Sequence, residues 1–164
     1  MKNRTQIATI GLAILTVCVL GPSWAAQAQE QVTRPYKITG VTVGEITAVT
    51  ATATDVSITF NLVNVGEATH CGKYWNVGTT TLSLVTHKGT AQGTFTCANG
   101  DIIYWVGTID GTTLTVTTTS GTGRFEGGSG GFVAEISNLV LDPVPPVVGG
   151  TISYTFEGTG AVTY

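Results

Sequence analysis

Apolar residues occupy every second position over long stretches of the chain, which is the period of a half-buried β-strand. Between residues 56 and 62, the side chains of Val56, Ile58, Phe60 and Leu62 share one face and polar side chains alternate with them. The alternation returns at Leu82 and Leu84, at Leu114 and Val116, and at Ile152, Tyr154 and Phe156. Threonine fills many intervening positions, and a composition rich in threonine, valine and aromatic residues fits a pleated surface. The pattern predicts an all-β fold.

Eight strands are predicted, at about residues 37–50, 55–66, 79–87, 91–98, 101–109, 112–119, 131–141 and 150–163. Prolines between Pro143 and Pro146 interrupt the last connection, because proline cannot donate to a strand ladder. Eight short strands in sequence favour a closed, eight-stranded antiparallel up-and-down β-barrel, which leaves no exposed edge. A two-sheet β-sandwich is the alternative.

The dipeptide Asn99-Gly100 predicts a two-residue hairpin loop, because a type I′ turn needs positive φ at both central residues. Such a loop places Phe95 opposite Tyr104. It also places Cys97 opposite Ile102.

Asp110-Gly111 is a second dipeptide of this kind, and it predicts another two-residue loop. That loop places Trp105 opposite Val116. Together the two turns predict a meander of three consecutive antiparallel strands in the middle of the chain.

Residues 1–28 have the composition of a secretory signal peptide. Two basic residues begin the segment, an apolar stretch over residues 7–20 follows, and Ala26-Gln27-Ala28 matches the small-residue cleavage site. The apolar stretch is short for a membrane span, although an uncleaved anchor is the alternative. We therefore expect one mature domain, residues 29–164, in the periplasm or outside the cell.

The charge of the chain narrows the classes of partner. Only 10% of residues are charged and the formal net charge is −3, which becomes about −5 once the signal peptide's Lys2 and Arg4 are removed. No basic patch or run is present, which argues against nucleic acid binding.

Two cysteines, Cys71 and Cys97, remain in the predicted mature chain. An even number of cysteines in an oxidising compartment favours a disulfide. The bridge closes a loop of about 27 residues and contributes roughly 3 kcal/mol by restricting the unfolded chain. Two buried free thiols are the alternative.

Four glycine-containing segments together resemble a known group of proteins. They are residues 66–72, 93–101, 121–130 and 154–160. They are similar to small secreted bacterial proteins of mostly unassigned function, related in pattern to the allene oxide cyclase and dirigent-like barrels. The third segment, Gly-Thr-Gly-Arg-Phe-Glu-Gly-Gly-Ser-Gly, is the most specific. The resemblance implies an eight-stranded antiparallel barrel with a hydrophobic cavity. The catalytic residues of the plant cyclase have no position-by-position counterparts in this chain.

His70 and Glu67 are the candidate catalytic residues. His70 lies where an apolar strand ends in glycine, and a histidine at a barrel mouth can act as an acid, a base or a ligand. In the alternative role, its ring nitrogens are satisfied by loop carbonyls. Two distant histidines give no metal-ligand spacing, so we expect no metal and no cofactor.

Arg124, Glu126, Tyr104 and Trp105 are the candidate ligand-binding residues. In an extended chain the side chains of Arg124 and Glu126 point the same way. They form either a clamp for an anion at the cavity rim or a structural ion pair with each other or with Asp101. Tyr104 and Trp105 point to opposite faces, so only one of them can line a cavity. Exposed aromatic side chains contact sugars or apolar ligands, although core packing is their commoner use.

The leading hypothesis is an exported, non-enzymatic barrel that binds a small apolar ligand in its interior or serves as an envelope or matrix component. The chain contains no Ser-His-Asp order, nucleophile elbow, phosphate loop or paired-carboxylate motif. A cyclase- or isomerase-like enzyme is the second hypothesis. An eight-stranded outer-membrane barrel is the third, but the strands lack a sustained lipid-facing apolar band, so no stable membrane insertion is expected.

Overall fold

The computed structural model describes residues 31–164, which form eight β-strands and one short 3₁₀ turn, Gly123–Phe125. The strands are β1 (Thr33–Ala51), β2 (Val56–Ala68), β3 (Gly72–Ser83), β4 (Lys88–Cys97), β5 (Ile102–Asp110), β6 (Thr113–Gly121), β7 (Ser129–Asp142) and β8 (Thr151–Thr163). Each strand pairs antiparallel with the next, and β8 pairs with β1, which closes the sheet. The predicted up-and-down barrel is confirmed and the sandwich alternative is wrong. The predicted signal peptide lies outside the described residues.

The barrel interior contains the apolar face that the alternation predicted. Ile58, Phe60 and Leu62 of β2 are all buried, because every second side chain of a strand points inward. The inward residues of β6 and β8 that share this pattern are also buried: Leu114, Val116, Ile152, Tyr154 and Phe156. Trp105 is 4% exposed and its neighbour Tyr104 is 40% exposed, so they do point to opposite faces.

Strand β3 begins at Gly72, seven residues before the predicted start at residue 79. Tyr74 and Asn76 point inward, while Trp75 and Val77 point outward. An inward asparagine between outward apolar residues inverts the usual alternation, so the pattern of this stretch did not predict a strand. The polar residue fits inside because its side chain is hydrogen-bonded there, as described below.

The pairing predicted across the first turn is wrong by one residue. Phe95 pairs with Ile103 and not with Tyr104, and Cys97 is likewise shifted from its predicted partner Ile102. The loop has three residues, Ala98–Gly100, of which only the glycine has positive φ (88°). This register places Phe95 and Ile103 together inside the barrel, whereas a one-residue shift moves one of them to the outer face.

The pairing predicted across the second turn is wrong by two residues. Asp110 pairs with Thr113, so the loop consists of Gly111 and Thr112, and only Gly111 has positive φ (63°). That register alone places Trp105 opposite Thr118 instead of Val116, and a bulge follows between Tyr104 and Trp105. A two-residue shift keeps every side chain on its predicted face, so the meander and its inward residues are confirmed.

The two ends of the barrel differ in their loops. One end, here called the disulfide end, has the β2–β3 loop, the β4–β5 loop and the β6–β7 connection with its 3₁₀ turn. Both ends of the described chain also lie there, since Val32 and Tyr164 exchange backbone hydrogen bonds. The opposite end carries the proline-containing β7–β8 connection. Most of the sequence-predicted site residues therefore lie at the disulfide end.

Candidate functional site

A disulfide joins Cys71 of the β2–β3 loop to Cys97 at the end of β4, with the Cα atoms 4.8 Å apart. Both residues are buried. The predicted bridge is confirmed, and the alternative of two free thiols is wrong. The bridge therefore fixes the β2–β3 loop, at the residue before β3, to the end of the neighbouring strand β4.

Arg124 connects three loops at the disulfide end. Its Nε donates to Asp101 Oδ2 at 3.1 Å, and its Nη1 donates to the His70 carbonyl oxygen at 2.9 Å. The residue lies in a 3₁₀ turn, so the extended conformation expected for Arg124 and Glu126 is wrong. Glu126 is exposed and forms no ion pair within residues 31–164. Because Asp101 already neutralises the guanidinium, Arg124 is poorly placed to hold an anionic ligand.

Asp101 is held in its ionised form by the loop around it. The Asn99 side-chain amide donates to Asp101 Oδ2 at 2.7 Å, and this bond lowers the pKa of Asp101 most. Arg124 lowers that pKa further through backbone and side-chain hydrogen bonds, while partial burial acts in the opposite direction. Gly123 has φ of 59°, and a Cβ at this position collides with the Asp101 carboxylate. The glycine-rich segment is therefore shaped to receive this carboxylate.

Phe125 closes the disulfide end of the barrel. It is 2% exposed, and its ring meets the Tyr164 ring edge to face at 5.4 Å. The glycine-rich connection between β6 and β7 thus serves as a plug, held by Arg124 on its outer side.

His70 and Glu67 do not form a catalytic pair in the barrel interior. The His70 Nε2 atom lies 3.2 Å from the Pro35 carbonyl oxygen, and the ring contacts the Tyr164 ring edge on at 5.9 Å. His70 has φ of 67°, which a tight loop requires. Glu67 is exposed on the outer face of β2. The ring of His70 is therefore bound to a backbone carbonyl, as in its alternative role, although that carbonyl belongs to strand β1 and not to a loop.

The barrel interior is almost filled by side chains. One void of about 10 Å³ remains, lined mainly by Phe95, Trp105 and Phe132 together with polar groups from β2 and β3. Ligand pockets commonly have volumes of roughly 300–1,000 Å³. The ionisable side chains inside are tyrosines, and burial raises the pKa of Tyr36 and of Tyr154. Of these two phenols Tyr154 lines the void, and a void of this volume has no room for a substrate.

Trp105 is the candidate aromatic residue that lines the interior. Its Nε1–H donates to Asn76 Oδ1 at 2.9 Å, and both side chains are buried. This bond accounts for the inward asparagine that obscured β3 in the sequence. Tyr104, on the opposite face, lines a surface on the outside of the barrel.

Two adjoining concavities, here together called the outer groove, lie on the outside of strands β2–β6. Their volumes are about 500 and 680 Å³, and they share Thr79, Gln92 and Val106. None of the described residues that line either concavity is charged. The outer groove thus offers hydroxyl and amide groups, a few valines and the ring of Tyr104.

Threonines form an unbroken row beside the outer groove. One outward threonine from each of five strands pairs with the next across the sheet: Thr59, Thr81, Thr90, Thr108 and Thr115. Four of these five residues line the first concavity directly. The hydroxyls of Thr59 and Thr81 are 3.1 Å apart. Sequence alternation placed threonines on the outer face, but only the strand registers show that they align.

A pair of glycines explains why a convex barrel wall has a concavity. Gly78 of β3 and Gly93 of β4 are direct partners, and a Cβ on Gly78 collides with the Gln92 backbone. Without side chains here, the wall is thin enough for the inward residues Leu62 and Trp105 to line the second concavity from below.

Within residues 31–164, no helix is long and apolar enough to cross a membrane. The same residues contain no group of three or more histidine, cysteine, aspartate or glutamate side chains placed to hold a metal ion. No protein-family model matches the chain, and no curated protein matches it either. Function has to be inferred from the surfaces themselves, since a fold alone does not specify one.

Proposed function

We propose that the chain is an exported, non-enzymatic barrel of the allene oxide cyclase and dirigent-like type that binds a neutral polysaccharide along its outer groove. The observation that carries this proposal is the uncharged, threonine-lined concavity beside the exposed ring of Tyr104. A small apolar ligand inside the barrel is less well supported, because the interior void is about 10 Å³.

The chemistry of the outer groove matches that of sugar hydroxyls. Neighbouring strands lie ~4.8 Å apart and alternate residues of one strand ~6.8 Å apart, so the threonine hydroxyls form a regular two-dimensional array. Each hydroxyl both donates and accepts, as the hydroxyls of a sugar do. The uncharged lining offers no cation to a phosphate or carboxylate, which favours a neutral polymer over an anionic one.

Tyr104 adds an apolar face to this array. It is 40% exposed and pairs with Thr94 of β4. Trp75, which is 54% exposed, pairs with Thr96 two residues further along β4. Aromatic rings with polar tips suit surfaces that are partly apolar and partly wet, and the C–H face of a sugar ring is such a surface.

The non-enzymatic part of the proposal is supported by the positions of the ionisable groups. His70 is bound to a backbone carbonyl of β1, Glu67 is on the outer face, and the interior phenols are held protonated by burial. Glu67 lines an outer concavity of about 390 Å³ together with Glu157, but neither His70 nor the interior phenols line it.

Export and the absence of membrane insertion are supported by the disulfide and by the burial pattern. The Cys71–Cys97 bridge suits an oxidising compartment. The interior is mainly apolar, while the outer face mixes exposed valines such as Val41 and Val65 with threonines and with glutamates such as Glu45 and Glu135. A transmembrane barrel instead has a polar lumen and an apolar outer band without such charges.

Affinity electrophoresis of the mature protein in gels that contain single polysaccharides tests the proposal. We expect neutral glucans, mannans or xylans to retard the protein and anionic alginate or polygalacturonate to leave its mobility unchanged. Tyr104→Ala and the double variant Thr90→Val/Thr108→Val should weaken retardation by about tenfold, which corresponds to about 1.4 kcal/mol.

Thr159→Val is the matched control, because Thr159 is an exposed threonine on β8, outside the outer groove. It should bind like the wild type. Failure of all neutral polymers to retard the wild type, or equal loss in the control and groove variants, would overturn the proposal.

A further inference from the structure

Polar side chains form a row across the inner wall of the barrel. Tyr154 of β8, Thr42 of β1, Asn64 of β2 and Asn76 of β3 are successive cross-strand partners on the inward face. Thr80, four residues after Asn76 on β3, also points inward. Side chains that are buried among apolar residues usually have hydrogen-bond partners, so this row calls for a physical explanation.

Four polar atoms in this row have no partner among the described residues: Thr42 Oγ1, Asn64 Oδ1, Asn76 Nδ2 and Thr80 Oγ1. Each of these residues is 5% exposed or less. Burial raises the pKa of Tyr154 and the neighbouring Thr42 hydroxyl lowers it, although Thr42 Oγ1 has no partner at full hydrogen-bond geometry. The unpartnered set contains one acceptor, one donor and two hydroxyls that can do either.

The orientation of the Asn76 amide is fixed by Trp105. An indole N–H can only donate, and Trp105 Nε1 donates to Asn76 Oδ1. The Nδ2 group of Asn76 is therefore the donor that remains free inside the barrel.

The free polar groups border the interior void. Asn64, Asn76 and Thr80 all line it, and apart from Tyr154 the other lining residues are apolar. Its volume of about 10 Å³ is close to the roughly 10–15 Å³ that one water molecule needs, and a buried water typically makes about three hydrogen bonds. An organic ligand does not fit this space.

We propose that the barrel interior binds one ordered water molecule at this void. The water donates to Asn64 Oδ1, accepts from Asn76 Nδ2 and exchanges a hydrogen bond with the Thr80 hydroxyl. It thereby links β2 to β3 and supports the amide that orients Trp105. This site is independent of the outer groove, so it does not depend on the proposed function.

Water-to-protein cross-relaxation measured by NMR on the folded mature protein tests the proposal. We expect a long-lived water signal at the Asn76 side-chain amide protons and at the Trp105 indole proton. The signal should be lost in the double variant Asn64→Leu/Thr80→Val, which removes two of the three partners with little change in volume. Thr81→Val, at the adjacent outward position, is the matched control and should keep the signal.

The wild-type measurement decides the question even if the double variant does not fold. Absence of the water signal from a folded wild type whose Asn76 amide resonances are assigned would overturn the proposal. A crystal structure in which Asn64 bonds directly to Asn76 across a dry interior would also overturn it.

Discussion

We expect reduction of the Cys71–Cys97 disulfide to lower the stability of the barrel without changing its fold. The bridge joins the β2–β3 loop to the end of β4, the strand that pairs with β3. Reduction leaves both buried sulfur atoms in place, so it removes the cross-link while disturbing the packing little. The effect therefore acts mainly on the unfolded chain, which regains the freedom that the bridge had restricted.

The size of the effect follows from the length of the closed loop. The cysteines are 26 residues apart, and the chain-entropy relation gives about 3.5 kcal/mol for such a loop at 25 °C. Unfolding entropy is about 2 cal/mol/K per residue. Over residues 31–164 this converts 3.5 kcal/mol into a fall in Tm of about 12 °C.

Thermal and urea unfolding followed by tryptophan fluorescence, with and without a phosphine reductant, measure this change. The variant Cys71→Ala/Cys97→Ala is the control, and its Tm should be low and insensitive to the reductant. Equal Tm values for the oxidised and reduced wild type would refute the reasoning. A fall of similar size in the Tm of the control on adding the reductant would also refute it, because the reductant would then act on something other than this disulfide.

Three further predictions concern buried and charged side chains. Burial raises the pKa of Tyr36, Tyr74 and Tyr154, so above about pH 10 these phenols lose protons in the unfolded chain but not in the folded one. The free energy of unfolding should then fall by up to about 4 kcal/mol per pH unit. Urea unfolding across alkaline pH checks this, and a flat profile contradicts it. Because the folded pKa of Asp101 is lowered, its contribution is full above about pH 4 and is lost as the pH falls through the folded pKa. Asp101→Asn should therefore flatten the acid limb of the Tm profile, and an unchanged limb would count against this role. Phe125→Ala should cost about 3–4 kcal/mol in unfolding free energy, measured by urea unfolding, whereas a loss below about 1 kcal/mol would show that the plug is dispensable.

Most of the barrel was predictable because its strands bury one face. Ile58, Phe60 and Leu62 alternate with polar residues, and the structure places all three inside. Two-residue periodicity reports which face is buried, but it says little about where a hairpin turns. That limit explains why Phe95 was assigned Tyr104 as its partner, whereas it pairs with Ile103 inside the barrel.

Strand β3 was only partly predicted because its stability depends on a distant contact. Asn76 points inward, and its Oδ1 accepts a hydrogen bond from Trp105, 29 residues later in the chain. No local pattern carries that information. The filled interior was unpredictable for a related reason, since the packing of large side chains from eight strands depends on all the registers together.

The sequence identified several residues that matter at the barrel end and on its surface, but it did not identify what each of them does. Arg124 and Asp101 do meet, but their ion pair holds loops together. Tyr104 and Trp105 point to opposite faces, as alternation predicted, yet the outer groove around Tyr104 requires the alignment of threonines from five strands. That alignment arises from strand register, which the sequence alone did not determine.

The glycine pair Gly78–Gly93 makes Trp105 an intrinsic fluorescence reporter of the outer groove. Its indole N–H is bonded to Asn76 inside the barrel, while the same side chain lines the floor of the outer groove through the thin wall. A molecule that settles in the groove displaces solvent next to a buried chromophore, so the emission of this tryptophan reports occupancy without any label. A Cβ atom at Gly93 would lie 3.0 Å from that ring. It would separate the indole from the solvent of the groove, so the emission would respond less to a bound molecule.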